Sequence, residues 1–178
     1  MNGRVTLRTA SPSDAAAITA IYAHHVLNGT ASFDTVPRTE AETRQRIETC
    51  QKHGWPFIVA EEAGAVVGYA YATQFRERPA YAYSCENSIY IAADRRGHGI
   101  GRMLLDRLVA DATACGFRQM IAVAGGGEPA SVRLHLKCGF VEAGRMKAVG
   151  RKFGQWLDTV YLQRELGPGR SIPPAQEP

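Results

Sequence analysis

The stretch RRGHGIG, residues 95–101, lies between two segments of different character. The preceding run NSIYIAAD (87–94) is largely apolar and predicts a buried strand, whereas RMLLDRLVADATACG (102–116) has apolar residues at helical spacing. Glycines at alternate positions allow a ligand to lie against the backbone, where a Cβ atom would obstruct it. Because backbone N–H groups at a helix start lack partners, this junction predicts an anion-binding site with two arginines at its mouth.

Two well-known phosphate-binding loops do not fit this stretch. A Walker A loop ends in Gly-Lys-Ser/Thr, whereas Gly101 is followed by Arg102. A dinucleotide-binding fingerprint has its third glycine one position later and an acidic residue about 20 positions further on. The later glycine run AVAGGG (122–127) has no acid there. The loop therefore predicts a phosphate ligand of a different class.

Composition predicts one soluble globular domain over residues 1–166. The chain has 178 residues, of which 45% are hydrophobic and 21% charged. Residues 167–178, GPGRSIPPAQEP, are rich in Gly and Pro and are expected to be a disordered tail. No apolar run approaches the length of a membrane span, and MNGRVTLRTA (1–10) has no apolar core of a secretory signal. We therefore expect a cytoplasmic protein with no membrane partner.

Charge and cysteine spacing restrict the ligand classes further. The net charge of +4 comes from scattered arginines, with no basic run interleaved with aromatic residues, so no nucleic-acid partner is expected. A small anionic ligand accounts for the same charge. None of the four cysteines has metal-ligand or redox-motif spacing, which predicts free thiols and no metal site. Cys115 and Cys138 lie at the ends of helical patterns and are expected to pack.

Turn signals and periodicity predict the element order β-α-α-β-β-β-α-β-α-β-β. Helix-start signals at Ser11 and Pro12 and a stop at Gly54 delimit the first two helices. Hairpins in one half and β-α-β crossovers in the other indicate an α/β (α+β mixed) fold with a mixed sheet and helices on both faces. Trp156 is expected to be a packed aromatic residue at the start of the last strand.

The glycine loop in this setting resembles the acyl-CoA pyrophosphate loop of the GNAT superfamily of N-acetyltransferases, over nearly all of residues 4–166. Four segments together narrow the resemblance to the phosphinothricin and methionine sulfoximine N-acetyltransferases: YAYATQFRERPAYAYSCENSIYI (69–91), GHGIG (97–101), SVRLHLKCGF (131–140) and GRKFGQWLDTVYLQREL (150–166). This resemblance implies a GNAT fold, with a central mixed, mostly antiparallel sheet. It also implies acetyl-CoA as cosubstrate, a small-molecule amine as substrate, and a homodimer.

The resemblance implies a CoA site on the loop and on the strand before it. Residues 89–91 are expected to bind the pantetheine arm through their backbone, in a gap where this strand splays from the next, with the Ile91 N–H polarising the thioester oxygen. The predicted cofactor-binding residues are Ile89, Tyr90, Ile91, Arg96, Gly97, His98, Gly99, Ile100, Gly101, Arg102, Glu128, Ser131 and Lys137.

Three of these residues leave alternatives open. Glu128 stands where many relatives have Asn, and an acidic side chain facing a polyanionic ligand is unfavourable unless it points away, although its backbone could still serve. Ser131 is expected to cap the short helix or to donate a hydrogen bond. Lys137 either reaches a CoA phosphate or is a solvated helix lysine.

The predicted catalytic residues are Glu86 and His135. Direct attack on a thioester needs a neutral amine, and Glu86, expected just before the strand SIYI (88–91), is the candidate general base. The alternative is a surface carboxylate paired with Arg76 or Arg78. The resembling family has His at the position of His135, which could relay a proton, hold the substrate, or be structural.

The predicted substrate-binding residues surround Glu86 and are Phe33, Phe75, Arg76, Arg78, Glu86, Asn87 and Ser88. Arg76 and Arg78 are candidates to hold a carboxylate, phosphinate or sulfone oxygen. Phe33 could line the pocket or belong to the core.

Three functions therefore remain open at the level of sequence. The first is acetylation of the α-amine of a small amino-acid analogue. The second is a GNAT activity on protein N-termini, polyamines or aminoglycosides, whose cationic substrates call for acidic pockets. The third is a non-catalytic acyl-CoA sensor, which would need no base.

Overall fold

The computed structural model describes residues 4–177. The outer ends of the predicted domain and of the predicted tail, Met1–Gly3 and Pro178, lie outside the described residues. The strands and helices in chain order are β1 (Thr6–Thr9), α1 (Ala15–Asn28), α2 (Glu40–His53), β2 (Phe57–Glu62), β3 (Ala65–Gln74), β4 (Ser84–Ile91), α3 (Ile100–Ala114), β5 (Gln119–Gly125), α4 (Pro129–Lys137), β6 (Val141–Lys152) and β7 (Gln155–Glu165). This order is the one that the sequence predicts. None of the described helices is long and apolar enough to cross a membrane.

The seven strands form one mixed sheet in the order β1-β2-β3-β4-β5-β7-β6. Every neighbouring pair is antiparallel except β4 and β5, which are parallel and joined through α3. The predicted fold class, a mostly antiparallel mixed sheet with helices on both faces, is therefore confirmed. The single parallel pair lies at the centre of the sheet, where the candidate site is found.

Each face of the sheet has its own core. On one face α1 and α2 pack against an aromatic layer that includes Phe57, Tyr69 and Tyr71. On the other face α3 buries an apolar stripe that includes Leu104 and Leu108. The two periodicities of the sequence, near 3.6 in the helices and 2 in the strands, generate these two layers.

Local sequence signals determine where the helices begin and end. Thr39 caps α2, accepting from the Glu42 backbone N–H while the Glu42 carboxylate accepts from the Thr39 N–H. Gly54 ends α2 in the left-handed conformation at φ 68°. Pro129 occupies the first position of α4, where a missing N–H costs nothing.

Several local expectations are wrong. Strand β4 begins at Ser84, so Glu86 lies inside the strand and not before it. Helix α4 begins at Pro129, so Ser131 lies in its first turn and Glu128 holds the cap position. Cys115 is exposed, although all four cysteines are free thiols as expected. Trp156 is 63% exposed and is not a packed aromatic residue.

The segment after residue 166 contains turns but neither helix nor strand over its described part. The Tyr83 hydroxyl donates to the Gln176 carbonyl across 2.6 Å. The single-domain boundary and the disordered tail stay predictions.

Candidate active site

A gap opens between the two parallel strands at the centre of the sheet. Pairing of β4 with β5 stops at Asn87 and Ala122, and from there β5 pairs only with β7. Residues 88–91 of β4 keep their partners on β3 but have no strand partner on the β5 side within the described chain. A cleft of about 1180 Å³ passes through this opening. The splayed strands predicted from the resemblance are present.

The backbone of β4 presents hydrogen-bonding groups to this gap. Phe75 N donates to Ser84 O and Ala92 N donates to Val67 O, which establishes that even-numbered residues of β4 bond to β3. The N–H groups of Ile89 and Ile91 therefore point the other way, into the gap.

The side chains of β4 also alternate between the two faces of the sheet. Ile89 and Ile91 pack with the α3 and α4 core, whereas Tyr90 packs with the α1 and α2 core. By the same alternation Glu86 and Ser88 lie on the face of Tyr90, and Asn87 lies on the face of the two isoleucines. One strand thus supplies two chemically different surfaces.

The glycine loop closes one end of the cleft. Gly97 and Gly99 both have φ of 82°, and a Cβ atom built on either would meet no atom within 4 Å. Gly99 holds the cap position of α3 and has no side chain to satisfy the first amides of that helix. The loop therefore offers open space, free amides and positive helix-dipole potential together, as an anion site requires.

His25 connects this loop to β4 and was missed by the sequence reasoning. The Arg96 Nη2 donates to His25 Nδ1 across 3.2 Å, so Nε2 carries the ring proton and donates to Ile91 O across 2.8 Å. Burial is the main cause that lowers the pKa of His25, which favours this neutral ring. His25 and Ile91 are 66 positions apart in the chain, so their contact leaves no local signal in the sequence.

Glu86 lies at the other end of the cleft, half-buried. Burial raises the pKa of its carboxyl group, and the nearby positive charge of Arg76 lowers it to a lesser extent. Arg76 Nη1 lies 3.8 Å from Glu86 Oε2, and the Arg76 guanidinium stacks on the Phe75 ring at 4.1 Å. A carboxylate with a raised pKa beside open space is a stronger base than an ordinary glutamate and is suited to accept a proton.

His135 is almost fully enclosed, with 2% of its surface exposed. Its Nδ1 donates to Ser131 O across 2.8 Å, and its Nε2 lies 3.0 Å from the side-chain amide of Asn87. The ring also meets Phe140 edge-on at 5.0 Å. Both nitrogens are thus occupied by protein groups, and burial lowers the pKa of the ring.

The segment between α1 and α2 forms a wall of the cleft. The Phe33 ring lies so close to Gly150 that a Cβ there would be 2.2 Å from it. The buried Lys152 ammonium donates to Gly29 O and Ser32 O, both at 2.9 Å. Phe33 lines the cleft, which is one of the two positions that the sequence left open, and the end of β6 fixes the position of this segment.

Most of the predicted site residues line this one cleft. The members are Phe33, Phe75, Glu86, Asn87, Ser88, Ile89, Tyr90, Ile91, Arg96, Gly97, Gly99, Ile100, Gly101, Arg102, Glu128, Ser131, His135 and Lys137. Three predicted residues do not line it, namely Arg76, Arg78 and His98, although Arg76 Nη1 lies 3.8 Å from the Glu86 carboxylate, which does. Residues 4–177 contain no cluster of His, Cys, Asp or Glu that could hold a metal ion.

Comparison with known proteins gives a consistent result. Residues 7–161 match the family model described as an acetyltransferase (GNAT) domain. The chain is 49% identical over 170 residues to a phosphinothricin N-acetyltransferase of Alcaligenes faecalis, covering 95% of this chain and 86% of that one. It is 40% identical over 165 residues to an L-methionine sulfoximine/L-methionine sulfone acetyltransferase of Salmonella typhimurium, covering 91% and 95%.

A solved structure extends the similarity to three dimensions. A phosphinothricin acetyltransferase of Sinorhizobium meliloti, crystallised in complex with acetyl-CoA, superposes with a TM-score of 0.94 at 50% identity. The match covers 97% of this chain and 94% of that one.

Proposed function

The chain belongs to the GNAT family of acetyltransferases, and from this premise we propose that it acetylates the α-amine of a small amino-acid analogue of the phosphinothricin or methionine sulfoximine type, with acetyl-CoA as donor. The observation that carries the proposal is the position of Glu86. Its half-buried carboxyl group lies at one end of the cleft, and the glycine loop closes the other end. The names of the relatives support the substrate class.

The residues present fit acetyl-CoA. The open glycines and the uncapped start of α3 would hold the diphosphate, with Arg96 and Arg102 beside it. The unpaired edge of residues 89–91 would hold the pantetheine arm by strand-like hydrogen bonds. When bound, acetyl-CoA supplies an activated acyl thioester next to the β4 backbone.

The reaction needs a base and a stabilised oxyanion. Glu86 takes a proton from the substrate ammonium, directly or through a water, because a free α-amine with a pKa of roughly 8 loses its proton far more readily than a lysine side chain. The neutral amine would then attack the thioester carbon directly, forming the C–N bond of the amide. The C–S bond breaks as the intermediate collapses, and the CoA thiolate leaves and takes up the second proton that the nitrogen loses. A backbone N–H that points into the gap, that of Ile89 or that of Ile91, would donate to the thioester oxygen as negative charge develops there.

Other groups bind or position the substrate. Arg76 is placed to take the substrate carboxylate, since it already lies beside Glu86. The walls of the proposed acceptor pocket are formed by Phe33, Phe75, Asn87 and Ser88. We assign His135 a positioning role, because its two nitrogens hold Ser131 O and Asn87 and leave none free for the substrate.

A thiol-release assay with acetyl-CoA tests the function. The panel contains phosphinothricin, methionine sulfoximine, methionine sulfone, ordinary amino acids, a polyamine, an aminoglycoside and a peptide with a free N-terminus. Release with the amino-acid analogues supports the proposal. Release confined to the cationic amines or the peptide would replace it with that substrate class, and CoA binding without any release would leave a sensor.

The glycine loop gives a matched pair of variants. Gly99 and Gly116 flank opposite ends of α3, have φ of 82° and 96°, and would both place a Cβ in open space. We expect Gly99→Ala and Gly116→Ala each to lower the free energy of unfolding by about 1–2 kcal/mol through left-handed strain. Only Gly99→Ala should also weaken CoA binding, by about tenfold in calorimetry. Equal CoA affinity in the two variants would contradict the predicted diphosphate site.

We extend the proposal to a homodimer joined through the β6–β7 hairpin. Strand β6 is an edge strand, and Val141, Met146, Val149 and Trp156 on this hairpin are 65%, 43%, 49% and 63% exposed. An exposed apolar edge is a liability in a monomer and is normally covered. Light scattering should give twice the 19.4 kDa chain mass.

The variant Trp156→Glu should shift the scattering mass towards the monomer. Leu27→Glu, at a residue that is 57% exposed on α1, serves as the control and should leave the mass unchanged. A monomeric wild-type protein at tens of micromolar would exclude the dimer.

A cytoplasmic location also remains part of the proposal, supported by four free thiols and a CoA substrate.

A further inference from the structure

We propose that Arg38 and Arg46 form a second anion-binding subsite in the cleft, which takes a negatively charged substrate side chain. This inference rests on the proposed function and narrows it, since it selects analogues with an anionic side chain over neutral ones. It adds a site distinct from Arg76, which would take the α-carboxylate.

The first step is the position of the two arginines relative to Glu86. Thr73 lies directly opposite Glu86, and Tyr71 lies opposite Ser88, on paired strands. Directly opposed residues share a face of the sheet, so Tyr71 and Thr73 extend the surface of Glu86 by one strand, roughly 5 Å.

Both arginines cover this adjacent surface. Arg38 Nη1 donates to the Tyr71 hydroxyl across 3.4 Å, and the Arg46 guanidinium lies over the Tyr71 ring at 5.6 Å. Both side chains line the main cleft, and with Thr73 they also line an adjoining pocket of about 320 Å³. The guanidinium groups thus lie within reach of the side chain of an amino acid whose amine is at Glu86.

The second step is the hydrogen bonding of the two arginines, which leaves donors over. Asp34 lies 3.8 Å from Arg38 Nη2, beyond hydrogen-bond distance, and its carboxylate accepts from the Tyr22 hydroxyl. Glu42, which lines the smaller pocket, accepts from the Thr39 N–H and hydroxyl. These two carboxylates balance the formal charge, but among the described residues neither accepts a hydrogen bond from either arginine, so guanidinium N–H groups remain for a ligand.

The third step is an unsatisfied donor. The Arg46 Nε is buried and has no hydrogen-bond partner among the described residues. Buried donors without a partner are rare, and each calls for an explanation. An anion with several acceptor oxygens, such as a phosphinate or a carboxylate, would satisfy this donor and both guanidinium groups.

The assignment predicts a substrate preference. Phosphinothricin carries an anionic phosphinate on its side chain, whereas methionine sulfone is neutral at the matching position. The wild-type enzyme should therefore have the higher kcat/KM for phosphinothricin. Charge-assisted hydrogen bonds are the strong ones, so loss of one should cost about tenfold to 100-fold.

The test compares these two substrates in Arg46→Gln and Arg38→Gln, with Arg107→Gln on the outer surface of α3 as the control. We expect both cleft variants to lose about tenfold or more in kcat/KM for phosphinothricin and less than about threefold for methionine sulfone. The control should retain both values. Equal losses for the two substrates, or no loss for phosphinothricin, would overturn the subsite.

A binding measurement separates this inference from the proposed function. Calorimetric titration of phosphinothricin into the protein with CoA present reports the subsite without turnover. Weaker binding in Arg46→Gln than in wild type supports the subsite even if no acetylation occurs, in which case only the proposed function fails. Turnover of amino-acid analogues with unchanged phosphinothricin binding in Arg46→Gln retains the function and removes the subsite.

Discussion

Glu86→Gln is expected to lower kcat by about 100- to 10,000-fold, the range that a positioned general base contributes. Glutamine has nearly the same shape and keeps an oxygen towards the cleft, but it cannot take the proton of the substrate ammonium. Affinity for CoA should change little, because Glu86 lies at the opposite end of the cleft from the glycine loop. Thiol release and calorimetry measure the two quantities separately.

The pH profile gives the same variant a second readout. Burial raises the pKa of Glu86, so the wild-type kcat/KM should fall as the pH drops through a value above that of an ordinary glutamate. Deprotonation of the substrate amine contributes its own limb near pH ~8. Only the limb that belongs to Glu86 should disappear in Glu86→Gln.

Glu77→Gln provides the matched control. Glu77 is an exposed carboxylate on the same loop as Arg76, and its loss changes the local charge equally. This variant should retain the parent rate. If Glu86→Gln also retained the parent rate, the base would have to be another group.

His135→Ala is expected to lower the free energy of unfolding by about 2–4 kcal/mol, because it opens a cavity and leaves the Asn87 amide without its partner. The imidazole is 2% exposed, connects α4 to β4 through its contact with Asn87, and donates to Ser131 O within α4. Urea denaturation of the variant measures the loss. His98→Ala, at an exposed position of the glycine loop, should leave stability unchanged.

The kinetics of His135→Ala distinguish positioning from proton transfer. Below the unfolding transition, a positioning role predicts a loss in kcat of less than about tenfold, whereas a catalytic acid or base predicts at least about 100-fold. Stability of the wild-type protein should fall with acid, because the unfolded chain binds a proton near pH ~6.5 that the buried neutral ring does not. The variant should lose part of this dependence, because His25 and carboxyl groups with a lowered pKa, such as that of Asp14, contribute further parts.

The sequence was most informative where local chemistry determines local structure. Alternate glycines at a strand-to-helix junction predict the loop, and Gly54 predicts the end of α2. The start of β4 was placed three residues late, because Ser84, Glu86 and Asn87 interrupt the apolar pattern in a strand whose two faces bear polar functional groups.

Long-range contacts explain the residues that the sequence did not reveal. His25 meets Ile91, Arg38 meets Tyr71, and Lys152 meets Ser32, at separations of 66, 33 and 120 positions. The pairing itself leaves no local signal in the sequence, because each pair meets only when the sheet has assembled. Strand β6 has no alternation in the sequence that could show its length, since it has exposed residues on both faces.

The alternation of β4 has a consequence for how this protein can change. Glu86 and Ser88 lie on one face of the sheet and Asn87, Ile89 and Ile91 on the other, so a point substitution in this strand alters one surface and spares the other. The proposed donor site uses the backbone of residues 89–91, so exchange of a side chain can change the proposed acceptor pocket while the groups that hold the donor stay in place. Deletion of a single residue from this strand would move every later side chain to the opposite face of the sheet and disrupt both surfaces at once.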